Sequence, residues 1–190
     1  MPRITYLVGP PASGKRTVGS ELAALTGAAL MDNHFISGPI FRAYGADGYA
    51  PLPEWVLELV TRVRAATLTA VAHARPGLSH IFTDYLSNDP EEERYLRLLR
   101  SKAAGRGAQF VPVWLTCPED ELLRRAVSPA RSEGNKLRDP DELSRILNSK
   151  GILPPPDDAL VLDTSAMSPR EAAQCIIDVL TDDRPRCDQS

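Results

Sequence analysis

The segment GPPASGKRT, Gly9 to Thr17, limits what this chain can fold into more than any other, because of what flanks it. The apolar run ITYLV, Ile4 to Val8, reads as a strand before it, and a helical pattern from about Gly14 to Leu25 follows. A glycine-rich turn between a strand and a helix can wrap its backbone N–H groups around an anion at the positive end of the helix. Gly9 and Gly14 let the backbone approach such an anion without a side-chain clash, and Lys15 adds a mobile full charge. Gly9, Pro10, Pro11, Ala12, Ser13, Gly14, Lys15, Arg16 and Thr17 are therefore expected to hold the phosphates of a nucleotide.

Apolar runs and helical patterns then alternate along the chain. ALMD ends at Asp32, HIFT ends near Asp84, FVPVWL spans Phe110 to Leu115 and ALVL spans Ala159 to Leu162. Between them, Asp89-Pro90-Glu91-Glu92, Asp139-Pro140-Asp141-Glu142 and Ser168-Pro169-Arg170-Glu171 each place a capping side chain first and proline at the first helical position. Thr116 to Asp120 is a weaker start of the same kind. Pro53 opens a long helix with Val56, Leu59, Val60, Val63, Thr67 and Val71 on one face. The expected fold is α/β: a three-layer αβα sandwich around a five-stranded parallel sheet, with the ligand at the carboxyl ends of the strands. Gly9, Asp32, Asp84, Cys117 and Asp163 then share one rim.

The 190 residues and an apolar fraction of 43% suit one domain over residues 1–180 with a polar tail at 181–190. A net charge of -3 argues against nucleic acid or a membrane surface as a partner. Three cysteines without metal spacing, and no recognisable targeting segment, are expected of a cytoplasmic protein with reduced thiols. Residues 33–52, rich in Gly, Pro and aromatics, resist assignment and are the expected acceptor region, with Phe35, Phe41, Tyr44 and Tyr49 as candidate lining and Arg42 as a candidate anion contact. For most of these aromatics, packing of the long helix against the sheet is the expected role.

The order Lys15-Arg16-Thr17 resembles the loop of adenylate kinase and related nucleoside monophosphate kinases, where threonine also follows lysine by two. Most of the chain resembles the small-molecule kinase branch of P-loop proteins, including shikimate kinase and chloramphenicol phosphotransferase. That resemblance implies ATP and Mg2+ as cofactors and transfer of a phosphoryl group to a hydroxyl of a small molecule. It implies Asp32 as the base on that hydroxyl, a role that suits a carboxylate at a strand end near the phosphates; a strand-end Asp that caps the next segment is the alternative reading. His34 stands where shikimate kinase has a second aspartate, as a substrate contact or a structural hydrogen-bonder. Asp84 is expected to contact substrate or to hold the metal with Thr17, or simply to cap its strand. Arg125 corresponds to the adenine-stacking arginine, Arg131 to a catalytic lid arginine in residues 127–138, and Asp163 and Thr164 to the adenine border. Lys136 and Arg138 are alternative lid cations, and Arg124 reads as a solvated basic face. Thr83-Asp84-Tyr85 replaces the glycine turn of shikimate kinase, which argues against shikimate as acceptor. Two alternatives stay open: a nucleoside or nucleotide kinase, and a nucleotide-binding regulatory protein with little transfer activity. A monomer or a homodimer is expected.

Overall fold

The computed structural model describes residues 1–46, 52–128 and 139–181. Strands β1 (Arg3–Val8), β2 (Ala29–Asp32), β3 (His80–Asp84), β4 (Gln109–Thr116) and β5 (Leu160–Asp163) form one sheet in the order β2-β3-β1-β4-β5, and every pairing is parallel. Parallel strands need crossovers, and helices α1 (Lys15–Thr26), α2 (Asn33–Tyr44), α3 (Glu54–Ala72), α4 (Pro90–Gly105), α5 (Glu119–Ala126), α6 (Pro140–Lys150) and α7 (Pro169–Thr181) supply them. This is the expected α/β sandwich.

The period-two alternation of β1 builds a core on each face of the sheet. Ile4, Tyr6 and Val8 join Phe82, Trp114 and the inner residues of α3 and α4, including Leu68, Val71, Leu96 and Leu99. Leu7 points the other way, with Ile81, Val113 and Leu115, onto Val18 and Leu22 of α1 and Ala173 and Ile176 of α7. Each such Leu or Ile, fully buried, contributes roughly 1.5–3 kcal/mol. A third cluster joins Ala12 of the glycine-rich turn to Leu122 and Ala126 of α5 and Leu143 of α6, so the turn rests on a packed floor.

Register fixes the rim. Val8 lies beside Asp84, Asp32 beside Thr83 and Thr116 beside Asp163, so all five strands deliver their carboxyl ends to one edge. The proline-led helix starts behave as read: Asp89 accepts from the Glu91 N–H, Asp139 from the Asp141 and Glu142 N–H groups, and Ser168 from the Glu171 N–H. The weaker start before α5 differs, since its N-cap is Pro118 with no side-chain cap. The unassigned stretch contains a helix, α2, with Pro39 inside it. Among the described residues, no helix is long and apolar enough to cross a membrane.

Candidate active site

The turn after β1 is held open by two left-handed residues, Ala12 at φ 70° and Gly14 at φ 89°. For Ala12 that conformation is sterically costly, and such strain persists only where surrounding packing enforces it. A Cβ at Gly9 would lie 2.5 Å from the Leu115 carbonyl oxygen, so glycine is needed there for the close contact with β4. Thr164, buried, clamps the turn from the far side by donating its hydroxyl to the Ser13 and Thr116 carbonyls, 3.1 Å each.

Three observations suit this turn to an anion. Helix α1 begins at Gly14 without a side-chain cap, so its first N–H groups face the turn. The Ser13 hydroxyl is fully buried and has no hydrogen-bond partner among the described residues. The Lys15 ammonium is drawn over the loop by the Gly9 and Pro10 carbonyls, at 2.9 and 2.7 Å. Thr17 is exposed and donates its hydroxyl to the Gly14 carbonyl at 2.8 Å. Arg16, in the place after the lysine, lays its guanidinium 4.9 Å from the centre of the exposed Phe35 ring. It thereby links the start of α1 to the start of α2.

A cleft of about 740 Å³ opens above the turn and runs along the rim. Residues 11–17 line one part of it, Asp32, Asn33, His34, Thr83, Asp84 and Tyr85 another, and Arg125, Thr164 and Met167 a third. The structure thus brings Lys15, Asp32, His34, Asp84, Arg125 and Thr164 to one space. Gly9 and Pro10 stand behind it, and Arg42 and Asp163 are exposed residues outside its lining. Asp163 accepts from the Ser165 N–H at 2.8 Å, which lowers its pKa and accounts for it as a turn residue. Arg131, Lys136 and Arg138 lie outside the described residues, as does Tyr49.

Each carboxylate of the cleft is anchored. Asp32, buried at the end of β2, caps α2 by accepting from the His34 N–H at 3.0 Å and accepts the Thr83 hydroxyl at 2.8 Å. One bond on each oxygen fixes the carboxylate while leaving lone pairs on both. Asp84 pairs with Arg64 at 2.7 Å and accepts the Tyr6 hydroxyl at 3.1 Å. Burial pushes the Asp84 carboxyl up, against the opposing pull of Arg64, Tyr6 and Lys15. Arg64 also donates to the Asn33 side-chain oxygen at 2.6 Å and packs 5.1 Å from the Tyr95 ring centre. Arg64 and Tyr6 were not among the sequence candidates. The only local signal for Arg64 was its place between Val60 and Leu68 on the inner stripe of α3. Arg125 donates to Glu121 at 2.6 Å and to the Thr164 and Ser165 carbonyls at 2.8 and 3.0 Å, which holds its plane beside the β5 turn. Arg124 is exposed and bonded to Glu121, as a solvated face should be.

The same architecture recurs among solved structures. A sugar kinase from Janibacter is 20% identical with a TM-score of 0.64, each chain covered over 95% of its length. The APS kinase of Mycobacterium tuberculosis, in complex with AMPPNP and APS, is 20% identical with a TM-score of 0.54 over 95% of this chain and 98% of the other. Shikimate kinase from Acinetobacter baumannii is 23% identical with a TM-score of 0.51 over 95% and 93%. This chain has the fold of the P-loop small-molecule kinases. No protein-family model matches it, and no curated protein matches it in sequence. In the P-loop kinase fold the turn at Gly9–Thr17 follows β1 and the cleft lies at the strands' carboxyl ends, where open α/β sheets bind ligands.

Proposed function

We propose that this protein is an ATP-dependent kinase that transfers the γ-phosphoryl group to a hydroxyl of a small molecule. The observation that carries the proposal is the convergence of Lys15 and Asp32 on one cleft above a loop preorganised for phosphate. A binding module needs the loop alone, whereas a buried, immobilised carboxylate beside it serves proton transfer.

ATP supplies the phosphoryl group, and Mg2+ screens the charge of its phosphates. The N–H groups at the start of α1, the Ser13 hydroxyl and the Lys15 ammonium would hold the phosphates by charge-assisted hydrogen bonds. Arg125, fixed by Glu121 and the β5 turn, offers a planar guanidinium for the adenine, with Thr164 at its border. Asp32 orients the acceptor hydroxyl and takes its proton, and His34 lies beside it at the mouth of the cleft. Asp84, with one lone pair already given to Arg64 and one to Tyr6, fits a hydrogen bond to metal-bound water better than direct coordination. No group of three metal-ligating side chains occurs among the described residues, which suits a cation held largely by phosphates and water. Arg131 is assigned to a lid in residues 127–138, where its charge would matter most in the transition state. The setting is assigned as cytoplasmic.

Steady-state ADP release with ATP, Mg2+ and a panel of hydroxylated acceptors tests the proposal. Acceptor-dependent release is expected. Tight ATP binding with no acceptor-dependent release would favour the regulatory alternative instead.

A further inference from the structure

The pairing of β2 with β3 stops at Asp32 and Thr83. Beyond it the chain turns from β2 into α2 at Asn33, while β3 runs on by one residue to Asp84. Asp32, Asn33 and Asp84 all line the cleft, but the ladder no longer ties the start of α2 to the end of β3.

Arg64 of α3 spans that gap. One terminal nitrogen of its guanidinium donates to the Asn33 side-chain oxygen at 2.6 Å and to Asp84 Oδ1 at 2.7 Å. The contacts close a ring. The Thr83 hydroxyl donates to Asp32 Oδ2 at 2.8 Å and accepts from the Asn33 N–H at 3.3 Å, and Thr83 precedes Asp84 in β3. Hydroxyls brace the ring from outside, Ser37 on the Asn33 oxygen at 3.2 Å and Tyr6 on Asp84 Oδ2 at 3.1 Å. Arg64 itself stands behind the cleft wall and is not part of its lining.

Neutralising a buried carboxylate accounts for the bond to Asp84 alone. The bond to Asn33 is the shorter of the two and goes to a neutral oxygen, which an ion pair does not require. What it fixes is the first residue of α2, next in the chain to Asp32. A proton acceptor must keep its lone pair aimed at the reacting hydroxyl, and a misplacement of about 1 Å can slow a reaction about a hundredfold.

We propose that Arg64 is a positioning residue for phosphoryl transfer: acting through Asn33, it holds Asp32 in place beside Asp84 without touching ATP or acceptor. The proposal rests on the kinase assignment above and adds a residue to its machinery. The groups assigned to ATP follow β1 and surround the β5 turn, so the bridge bears on the acceptor side of the cleft.

Two variants cut the bridge from either end. Arg64→Lys has a shorter stem but keeps a cation for Asp84, and Asn33→Ala leaves the ion pair intact. Each, and the double variant, is compared with the parent by amide hydrogen exchange, by calorimetric titration with ATP and by ADP release with ATP and Mg2+. The acceptor in the last is whichever of glucose, gluconate, shikimate and adenosine the parent uses fastest, or water where it uses none. In both single variants the His34 N–H, bonded to Asp32, should exchange at least about tenfold faster and kcat should fall at least about tenfold, with Kd for ATP within about twofold of the parent. The double variant should be no slower than the slower single one, because both cut the same link. Parent-like kcat or parent-like exchange at His34 in either single variant overturns the proposal. So does a rise in Kd for ATP that matches the fall in kcat, which marks general damage. Effects that multiply in the double variant also overturn it, since Arg64 and Asn33 then act separately. In each of these cases the parent's ADP release stands and only the role of Arg64 falls. A parent that releases no ADP with any acceptor or with water removes the kinase assignment and this proposal together.

Discussion

Arg64 of α3 and Asp84 at the end of β3 form a 2.7 Å ion pair in which the carboxylate is buried and the guanidinium largely covered. The pair joins a helix on one face of the sheet to the rim that carries the cleft. Arg64→Met keeps roughly the length of the stem but gives up the guanidinium over Tyr95 and strands a buried carboxylate. Breaking such a pair costs about 3 kcal/mol. Urea unfolding at pH 7 should show a loss of that size, and an unchanged midpoint would mean that Asp84 finds another partner.

Gly9→Ala places a methyl group 2.5 Å from the Leu115 carbonyl oxygen, a backbone atom that cannot step aside. The turn must move off β4. Overpacking of this kind costs about 1–3 kcal/mol, and the displaced loop should bind ATP more weakly. Calorimetric titration beside a melting curve checks both effects, and parent-like values in each would remove the close-approach role.

Lys15→Ala leaves the fold standing, because the lysine's bonds to Gly9 and Pro10 are made at the surface of the cleft. A charge-assisted contact to phosphate is worth roughly 1.5–3 kcal/mol, so the dissociation constant for ATP should rise by about tenfold or more. Parent-like ATP affinity would refute the loop assignment.

His80 sits buried at the opposite end of β3, where its Nδ1 atom is 3.0 Å from the Arg106 guanidinium. Burial and then that neighbouring charge push its pKa down from 6.5 to about 4. The native protein therefore binds fewer protons than the unfolded chain between those values. The stability is present above pH 6.5 and is lost as pH falls toward 4. The raised carboxyls of Asp84 and Glu92 act with the opposite sign, so the measurement must be a difference. Relative to His80→Asn, the parent should lose at most about 3 kcal/mol across that window. An NMR titration of His80 near its ordinary value would contradict this.

The parts of the molecule that depend on neighbours in sequence were legible. Asp89, Asp139 and Ser168 announce helix starts because a cap bonds N–H groups two or three residues away. The turn at Gly9–Thr17 was legible as the link from β1 to α1 because its strand and helix flanks are local. Helix α2 was hidden because Pro39 and Gly38 lower its propensity; Asp32 caps it locally, but the packing on α3 that holds it is tertiary. The reason for Gly9 lies in Leu115, over a hundred residues away, and that for Arg64 lies in Asp84 and Asn33. Neither pairing leaves a local trace. The exposed Phe35 and Tyr44 depart from the expected role as sheet packing, since Phe35 meets Arg16 and Tyr44 meets Trp55 edge-on.

The central claim is that Asp32 takes a proton from an acceptor hydroxyl while the loop holds ATP. A single-turnover experiment with γ-labelled ATP, following the label from nucleotide into acceptor, tests it most directly when the parent is compared with Asp32→Asn. The amide keeps an oxygen for the His34 N–H and a group opposite Thr83, so the fold and ATP binding should persist. The expected result is label in the acceptor with the parent and transfer slowed by roughly 100-fold or more in the variant. Equal transfer rates in the two proteins, or label released only as inorganic phosphate in both, would contradict it.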